Sequence, residues 1–345
     1  MEGKFNMFRR YKRRHTNILF VIFRLLLSLV IFATLIAGLY YAYKHFSGLD
    51  PLRLDPKNAF SSAVGLLSKI NLPKDVQNTI NQNLPGTKVA VHKDTPSVSG
   101  VNIQKPSKEV FKFVLLSDSH SDNVYLKKAL NQIKKDYSDI RFIIGLGDYT
   151  DVGTLDELKK VKNELDSIGF RYFVTPGDHD LWDSRNKSLS PLTNFNQVFG
   201  PPFQSFIHEN YLFLLLFNSD NYQGLGNDQK NWLTNQLDSN PNVAGIFIFL
   251  HEPFFHPSSD HVMGRVEPKL KEEAENLTKQ LASAGVKKVF AGDTHFFSEY
   301  QEPQTNLFMV TVGVITSVRN LQPPRFAIVS VFENGSTRVE DVEVN

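Results

Sequence analysis

The sequence predicts an α/β domain over residues 109–345, its two sheets packed between helices as an α/β/β/α sandwich, preceded by a single transmembrane helix. Three observations predict it. From Val110 onward, apolar runs of strand length alternate with segments of helical spacing. Five of those runs stop at short polar motifs, and a run of 19 residues without a charge lies far upstream.

The uncharged run is Leu25–Tyr43. As a helix it would span roughly the ~30 Å apolar core of a bilayer. Tyr40, Tyr41 and Tyr43 stand at its far end, where amphipathic aromatics favour the interface, and Arg24 at the near end can reach back to the headgroups. Residues 1–14 carry six basic side chains against one acid, which keeps residues 1–24 cytoplasmic and sends the rest of the chain outside. A cleaved signal peptide would end in small residues. Here Leu35 stands two before Ala37 and Ile36 two before Gly38, so the span is expected to remain. Residues 44–108 read as a juxtamembrane segment and flexible linker, with a short helix near Ala59–Ile70.

In the domain, strands are expected at Val110–Leu116, Arg141–Leu146, Arg171–Val174, Tyr211–Phe217, Val243–Leu250 and Val286–Phe290, then Leu307–Val314 and Phe326–Phe332 with an Asn334–Gly335 turn following. Helical spacing marks Val124–Tyr137, Leu155–Ile168 and Glu272–Ala284.

Composition excludes several classes. With 41% hydrophobic residues the chain can fill a sizeable core. The net charge of +2 becomes −3 once residues 1–14 are set aside, so the domain lacks the basic excess of a nucleic-acid-binding surface. There is no cysteine, hence no disulfide, thiolate ligand or cysteine nucleophile.

The chemistry sits where strands end. The motifs are Asp118-Ser119-His120, Gly147-Asp148, Gly177-Asp178-His179-Asp180, His251 and Gly292-Asp293-Thr294-His295. Ligands in α/β sheets bind beyond the carboxyl ends of strands, so five such motifs can converge on one crevice. Aspartate and histidine suit Mn, Fe, Zn or Mg. Asp118, Asp148 and Asp178 recur every 30 residues, one β-α unit each.

In order and spacing this set resembles the calcineurin-like metallophosphoesterases, over roughly residues 110–340. Phe195–Phe206 resembles the segment after the third motif in the purple-acid-phosphatase-like and phosphodiesterase branches. The resemblance implies a metallophosphoesterase fold and a hydrolase of phosphate mono- or diesters with two divalent metals. Asp118, His120, Asp148 and His295 would hold one; Asp148, Asp178, His251 and Asp293 would hold the other, and a metal-bridging hydroxide would attack phosphorus. His179 would protonate or orient the leaving oxygen. Gly147-Asp148-Tyr149-Thr150-Asp151 resembles a protein-phosphatase motif that implies Asp151 as partner of His179; capping of the following helix is its other reading.

Two positions depart from the family pattern: Asp178 replaces asparagine and Asp293 replaces histidine. Both fall on the second metal, and hard carboxylate donors there favour Mn or Mg, with Fe or Zn as alternatives. They also raise the alternative of a catalytically silent metal-binding or interaction module. The anchor suggests a lipid-linked or cell-envelope phosphate ester as one substrate class. Other residues have plain readings: Trp182 and Arg185 follow His179 closely, with pocket lining as their alternative; His256 and His261 read as solvent-facing, with substrate contact as their alternative; and His92 and His208 read as surface residues.

Overall fold

The computed structural model describes residues 107–345 except 319 and 321, together with Phe32, Thr34, Leu35, Gly38 and Tyr40, which are helical. Most of the expected span at 25–43, the basic segment 1–24, nearly all of the linker 44–108 and His92 lie outside the described residues. Among the described residues, no helix is long and apolar enough to cross a membrane.

The order of elements in the domain is β1 (Glu109–Leu116), α1 (Asn123–Asp136), β2 (Ile140–Gly145), α2 (Leu155–Ser167), β3 (Arg171–Val174), α3 (Trp182–Asn186), α4 (Thr193–Phe199), β4 (Gln204–His208), β5 (Tyr211–Leu215), α5 (Asn227–Ser239), β6 (Gly245–Phe249), α6 (Lys269–Ser283), β7 (Lys288–Ala291), β8 (Ser298–Gln301), β9 (Phe308–Thr311), β10 (Arg325–Phe332) and β11 (Thr337–Glu343). The strands form two sheets, ordered β11-β10-β1-β2-β3 and β4-β5-β6-β7-β9-β8. Their centres, β1-β2-β3 and β5-β6-β7-β9, are parallel. Consequently β1, β2, β3, β5, β6 and β7 all end on one side, where the polar motifs begin.

Alternation along the strands sorts the core into layers. Phe113, Leu115, Phe142 and Ile144 from the first sheet meet Phe213, Phe247, Phe249 and Phe290 from the second in one buried cluster. Phe113 stacks on Phe142 with centroids 5.4 Å apart, and edge-on contacts join it to Phe213 and Phe249. The opposite face of the first sheet packs Val114, Ile143 and Ile328 against Leu126, Leu130, Leu158 and Leu165 of α1 and α2. The outer face of the second buries Leu214, Ile248 and Val289 under Leu233 of α5 and Leu277 of α6. Rigid packing of this kind, worth ~3–5 kcal/mol per buried phenylalanine, fixes the strand ends that carry the site.

The expected strand Arg171–Val174 is observed with those bounds. Others are trimmed: Tyr211–Phe217 ends at Leu215, because Phe217 N–H donates to the Gln229 side chain at 2.7 Å instead of continuing a ladder.

Candidate metal centre

Each motif leaves its strand through main-chain bonds that continue the ladder beyond the regular elements. Asp118 N–H donates to Gly147 O and His120 N–H to Asp148 O, both at 3.0 Å. Gly292 N–H donates to His251 O at 3.0 Å. Asp180 ties the second and third motifs together. Its buried carboxylate accepts from the main-chain N–H groups of Tyr149, Thr150 and Gly177 and from the Thr150 hydroxyl at 2.8 Å. The sequence reading assigned this residue no task; its work is to hold the loops.

Five motif residues stand at positive φ: Asp118 (54°), His120 (41°), Asp148 (52°), Asp293 (60°) and His295 (62°). A residue with a side chain is uncommon there, and such strain gathers where a side chain must be aimed at a site. Glycines make room. A Cβ on Gly147 would come within 2.8 Å of His251 Nδ1, so the second motif passes directly against that ring.

The aimed side chains converge. Three sets of donors lie within 4.8 Å of one another: Asp118, His120 and His295; His120, Asp148 and His179; Asp118, Asp148 and His251. Asp148 spans the centre, with Oδ2 3.6 Å from His120 Nε2 and Oδ1 3.4 Å from His251 Nε2. His295 Nε2 is 3.5 Å from Asp118 Oδ1 and 3.4 Å from His120 Nε2. Asp178 Oδ1 is 3.9 Å from His251 Nε2, and its Oδ2 accepts from Asn221 Nδ2 at 3.0 Å. Asp178 and Asp293 belong to none of the three sets, whereas His179, which the sequence reading kept apart from the ligands, lies in one of them.

Apart from the Asn221 contact, these separations of 3.4–3.9 Å are longer than ordinary hydrogen bonds. Two donors each ~2.0–2.2 Å from one shared cation stand about 3.0–3.5 Å apart at tetrahedral or octahedral angles; the observed pairs, at 3.4–3.9 Å, lie at or slightly beyond the upper end of that spacing. Both oxygens of Asp118 and Nε2 of His251 are buried without a hydrogen-bond partner. Burying such acceptors costs several kcal/mol unless something of opposite charge meets them. The donor set therefore fits divalent cations.

Electrostatics shows the same demand for positive charge. Burial works to lower the pKa of His251, but the carboxylates of Asp148, Asp118, Asp293 and Asp178 outweigh it and hold it up at about 10. Burial pushes Asp148 well above the ordinary carboxylate range; neighbouring Asp178, Asp118 and Asp180 add to that, and His251 opposes it. Glu252, which the sequence reading missed, is buried beside His251 and lifted to about 8 by burial and by Asp293 and Asp178. Cations between these groups would reverse these shifts.

Histidine tautomers follow from main-chain carbonyls, which can only accept. His251 Nδ1 donates to Leu146 O at 2.7 Å, leaving Nε2 as a lone-pair donor toward Asp148. His179 Nδ1 donates to Asp151 O at 2.7 Å, which likewise frees its Nε2. That hydrogen bond is made to the Asp151 main-chain carbonyl. Trp182 stacks on the His179 ring at 3.7 Å, while Arg185 pairs with Asp220 at 3.2 Å.

Of the three described histidines read as surface residues, His256 is buried, whereas His208 and His261 are half-buried. His256 Nδ1 accepts from Ser258 and Ser259 N–H, and its ring is edge-on to Phe296 and Tyr300. His208 packs its ring edge-on against Phe111 and Phe142. His261 comes to 3.5 Å from Asp293 Oδ1. In each case a loop or edge strand folds back on the sheet, a long-range event with no local signal.

Among solved structures, the fold is similar to a dimetal phosphatase from Danio rerio (18% identity, TM-score 0.50, covering 69% of this chain and 99% of that one). It is also similar to a purple acid phosphatase from yellow lupin (Lupinus luteus) seeds (13% identity, TM-score 0.52, covering 70% of this chain and 52% of that one). No curated protein sequence matches the chain. The family described as calcineurin-like phosphoesterase matches residues 111–297, more than half of the chain and all five motifs. By that match the chain belongs to the calcineurin-like phosphoesterase family.

Proposed function

We propose that the chain hydrolyses phosphate mono- or diesters with two divalent metal ions, held outside the membrane on an amino-terminal helix. One observation carries the catalytic part: Asp148 presents its two oxygens to two different histidines, His120 and His251, at 3.6 and 3.4 Å. A carboxylate so placed can bridge two cations.

Asp118, His120, Asp148 and His295 would hold one ion; Asp148, Asp178, His251 and Asp293 would hold the other. Bound there, the ions would supply Lewis acidity toward the phosphate oxygens and a water acidified toward neutral pH. The remaining work belongs to side chains. His179 N–H, donating to Asp148 Oδ1 at 3.0 Å, fixes that carboxylate. With Nδ1–H committed to Asp151 O and the ring stacked on Trp182, Nε2 is the position that, in the imidazolium form of His179, would carry the proton passed to the departing alkoxide. Asn221 steadies Asp178, and Leu146 O holds His251 in the tautomer that offers Nε2. Mn or Mg is the preferred pair, because carboxylates outnumber imidazoles around the second ion.

The membrane part rests on the sequence of residues 1–43. Seven basic residues, six of them within residues 1–14, precede 19 uncharged ones, which orients residues 1–24 to the cytoplasm, 25–43 across the bilayer and, beyond the linker 44–108, the domain 109–345 outside. A lipid-linked or cell-envelope phosphate ester would then meet the site at the membrane surface.

The test is hydrolysis of p-nitrophenyl phosphate and bis(p-nitrophenyl) phosphate by the purified full-length chain, with and without Mn²⁺. Metal-dependent release of nitrophenol supports the proposal. Stable metal binding with neither ester hydrolysed would support a silent module instead.

A further inference from the structure

The second metal centre, as the family pattern draws it, is one imidazole short, because position 293 carries a carboxylate. The loop between β6 and α6 brings another imidazole against Asp293, a pair that stands beside the three clustered donor sets and in none of them. His261 Nδ1 lies 3.5 Å from Asp293 Oδ1, within the 3.4–3.9 Å range that separates the other donor pairs around Asp118 and Asp148. That nitrogen is buried, although the side chain is 25% exposed, and its contact with Asp293 is longer than an ordinary hydrogen bond. A simple structural pair would close to about 2.7–2.9 Å. Two donors facing one shared cation would not.

The loop is built to hold that ring in place. Met263 N–H donates to Pro253 O at 2.9 Å and Val262 N–H to Asp260 O at 3.0 Å, drawing the loop back toward the end of β6. His261 N–H donates to Ser259 Oγ at 3.1 Å, while Ser259 N–H is anchored on the buried His256 at 2.9 Å. His256 thus fastens the turn that presents His261.

We propose that His261 is a ligand of the second metal centre, its imidazole standing in for the one this chain lacks at position 293. The proposal rests on the two-metal reading above. It restores a mixed nitrogen and oxygen donor set, with His251 and His261 as imidazoles and Asp148, Asp178 and Asp293 as carboxylates. It also makes the 252–268 loop part of the metal site.

The experiment is a calorimetric titration of Mn²⁺ into the metal-free full-length chain, its His261→Ala variant, and a double variant with Asp293→His added. The unaltered chain should take two ions. His261→Ala should keep the first affinity and weaken the second by at least ~10–100-fold, the loss typical of removing even an outer-shell partner. Adding Asp293→His should restore the second ion, since it returns an imidazole to the family position. Melting of the metal-free forms checks folding. If the alanine variant melts early, His261→Phe, which keeps a ring and removes the donor, carries the titration. Two tight ions in the variants lacking only His261 would overturn this inference alone. Fewer than two in the unaltered chain would overturn the two-metal reading and this one with it.

Discussion

A single methyl group at Gly177 should cripple the site without adding or removing any charged group. Gly177 runs beside Asp148, and a Cβ built on it would stand 2.7 Å from Asp148 Cγ, closer still to Oδ1 and the main-chain nitrogen. Ordinary contact begins at 3.4 Å, so Asp148 and the third motif must part by at least about 0.7 Å. Gly177 has little room to retreat, because its N–H is bound to Asp180 Oδ2 at 2.9 Å. Its own φ is ordinary, so alanine adds no strain of its own and the effect comes from proximity alone. A misplacement approaching 1 Å costs about 100-fold in rate, or ~2.7 kcal/mol of transition-state stabilisation. Gly177→Ala should therefore lower kcat for an aryl phosphate by ~30–100-fold and weaken both ions, since Asp148 is shared. The assay is turnover at saturating Mn²⁺ together with calorimetric affinities. Turnover and affinities within twofold of the parent would show that Asp148 is not the centre of the site.

The other predictions divide the work among residues. Asp148→Asn should abolish tight binding of both ions, whereas His179→Gln should keep both and lower turnover ~10²–10⁴-fold, most for poor leaving groups; metal analysis beside kinetics separates them. Removing both ions should destabilise the fold. At 100-fold excess over Kd each contributes about 2.7 kcal/mol, so chelation should lower Tm by ~10–20 °C, measured by calorimetric melting. Burial holds His256 down at about 4, well below its unfolded value. The stability this contributes is complete above about pH 6.5 and is lost as pH falls through about 4, a change of ~3 kcal/mol. His256→Asn, which keeps an acceptor for the Ser258 and Ser259 amides, should flatten that slope in denaturant titrations between pH 4 and 7. For the anchor, protease added to intact cells should digest residues 109–345 and spare residues 1–24; a mature chain beginning near residue 38 would refute it.

The legible parts of this protein are those with local signals. Strands β1, β2, β3 and β7 are short apolar runs stopped by Gly-Asp or Asp-x-His, and β6 is one stopped by His251; their largely apolar runs leave little alternation to confuse them. The motif residues were legible by order and spacing, and the loops do bring Asp118, His120, Asp148, His251 and His295 together. What escaped notice depends on partners distant in sequence. Strands β4, β8 and β11 are edge or near-edge strands with mixed burial, paired to β5, β9 and β10, and they carry no apolar run of their own. Helix α5 buries only Gln229, Leu233 and Leu237, too sparse a stripe for a periodicity reading. Asn221 and His261 declare themselves only by the carboxylates they approach, Asp178 and Asp293.

The central claim is that two ions act together across Asp148. Its most direct test is hydrolysis of p-nitrophenyl phosphate by the metal-free full-length chain as Mn²⁺ is added in measured equivalents. The account predicts little activity with the first equivalent, a steep rise with the second, and a plateau beyond two. Full activity at one equivalent, or activity that persists in the chelated protein, would contradict it.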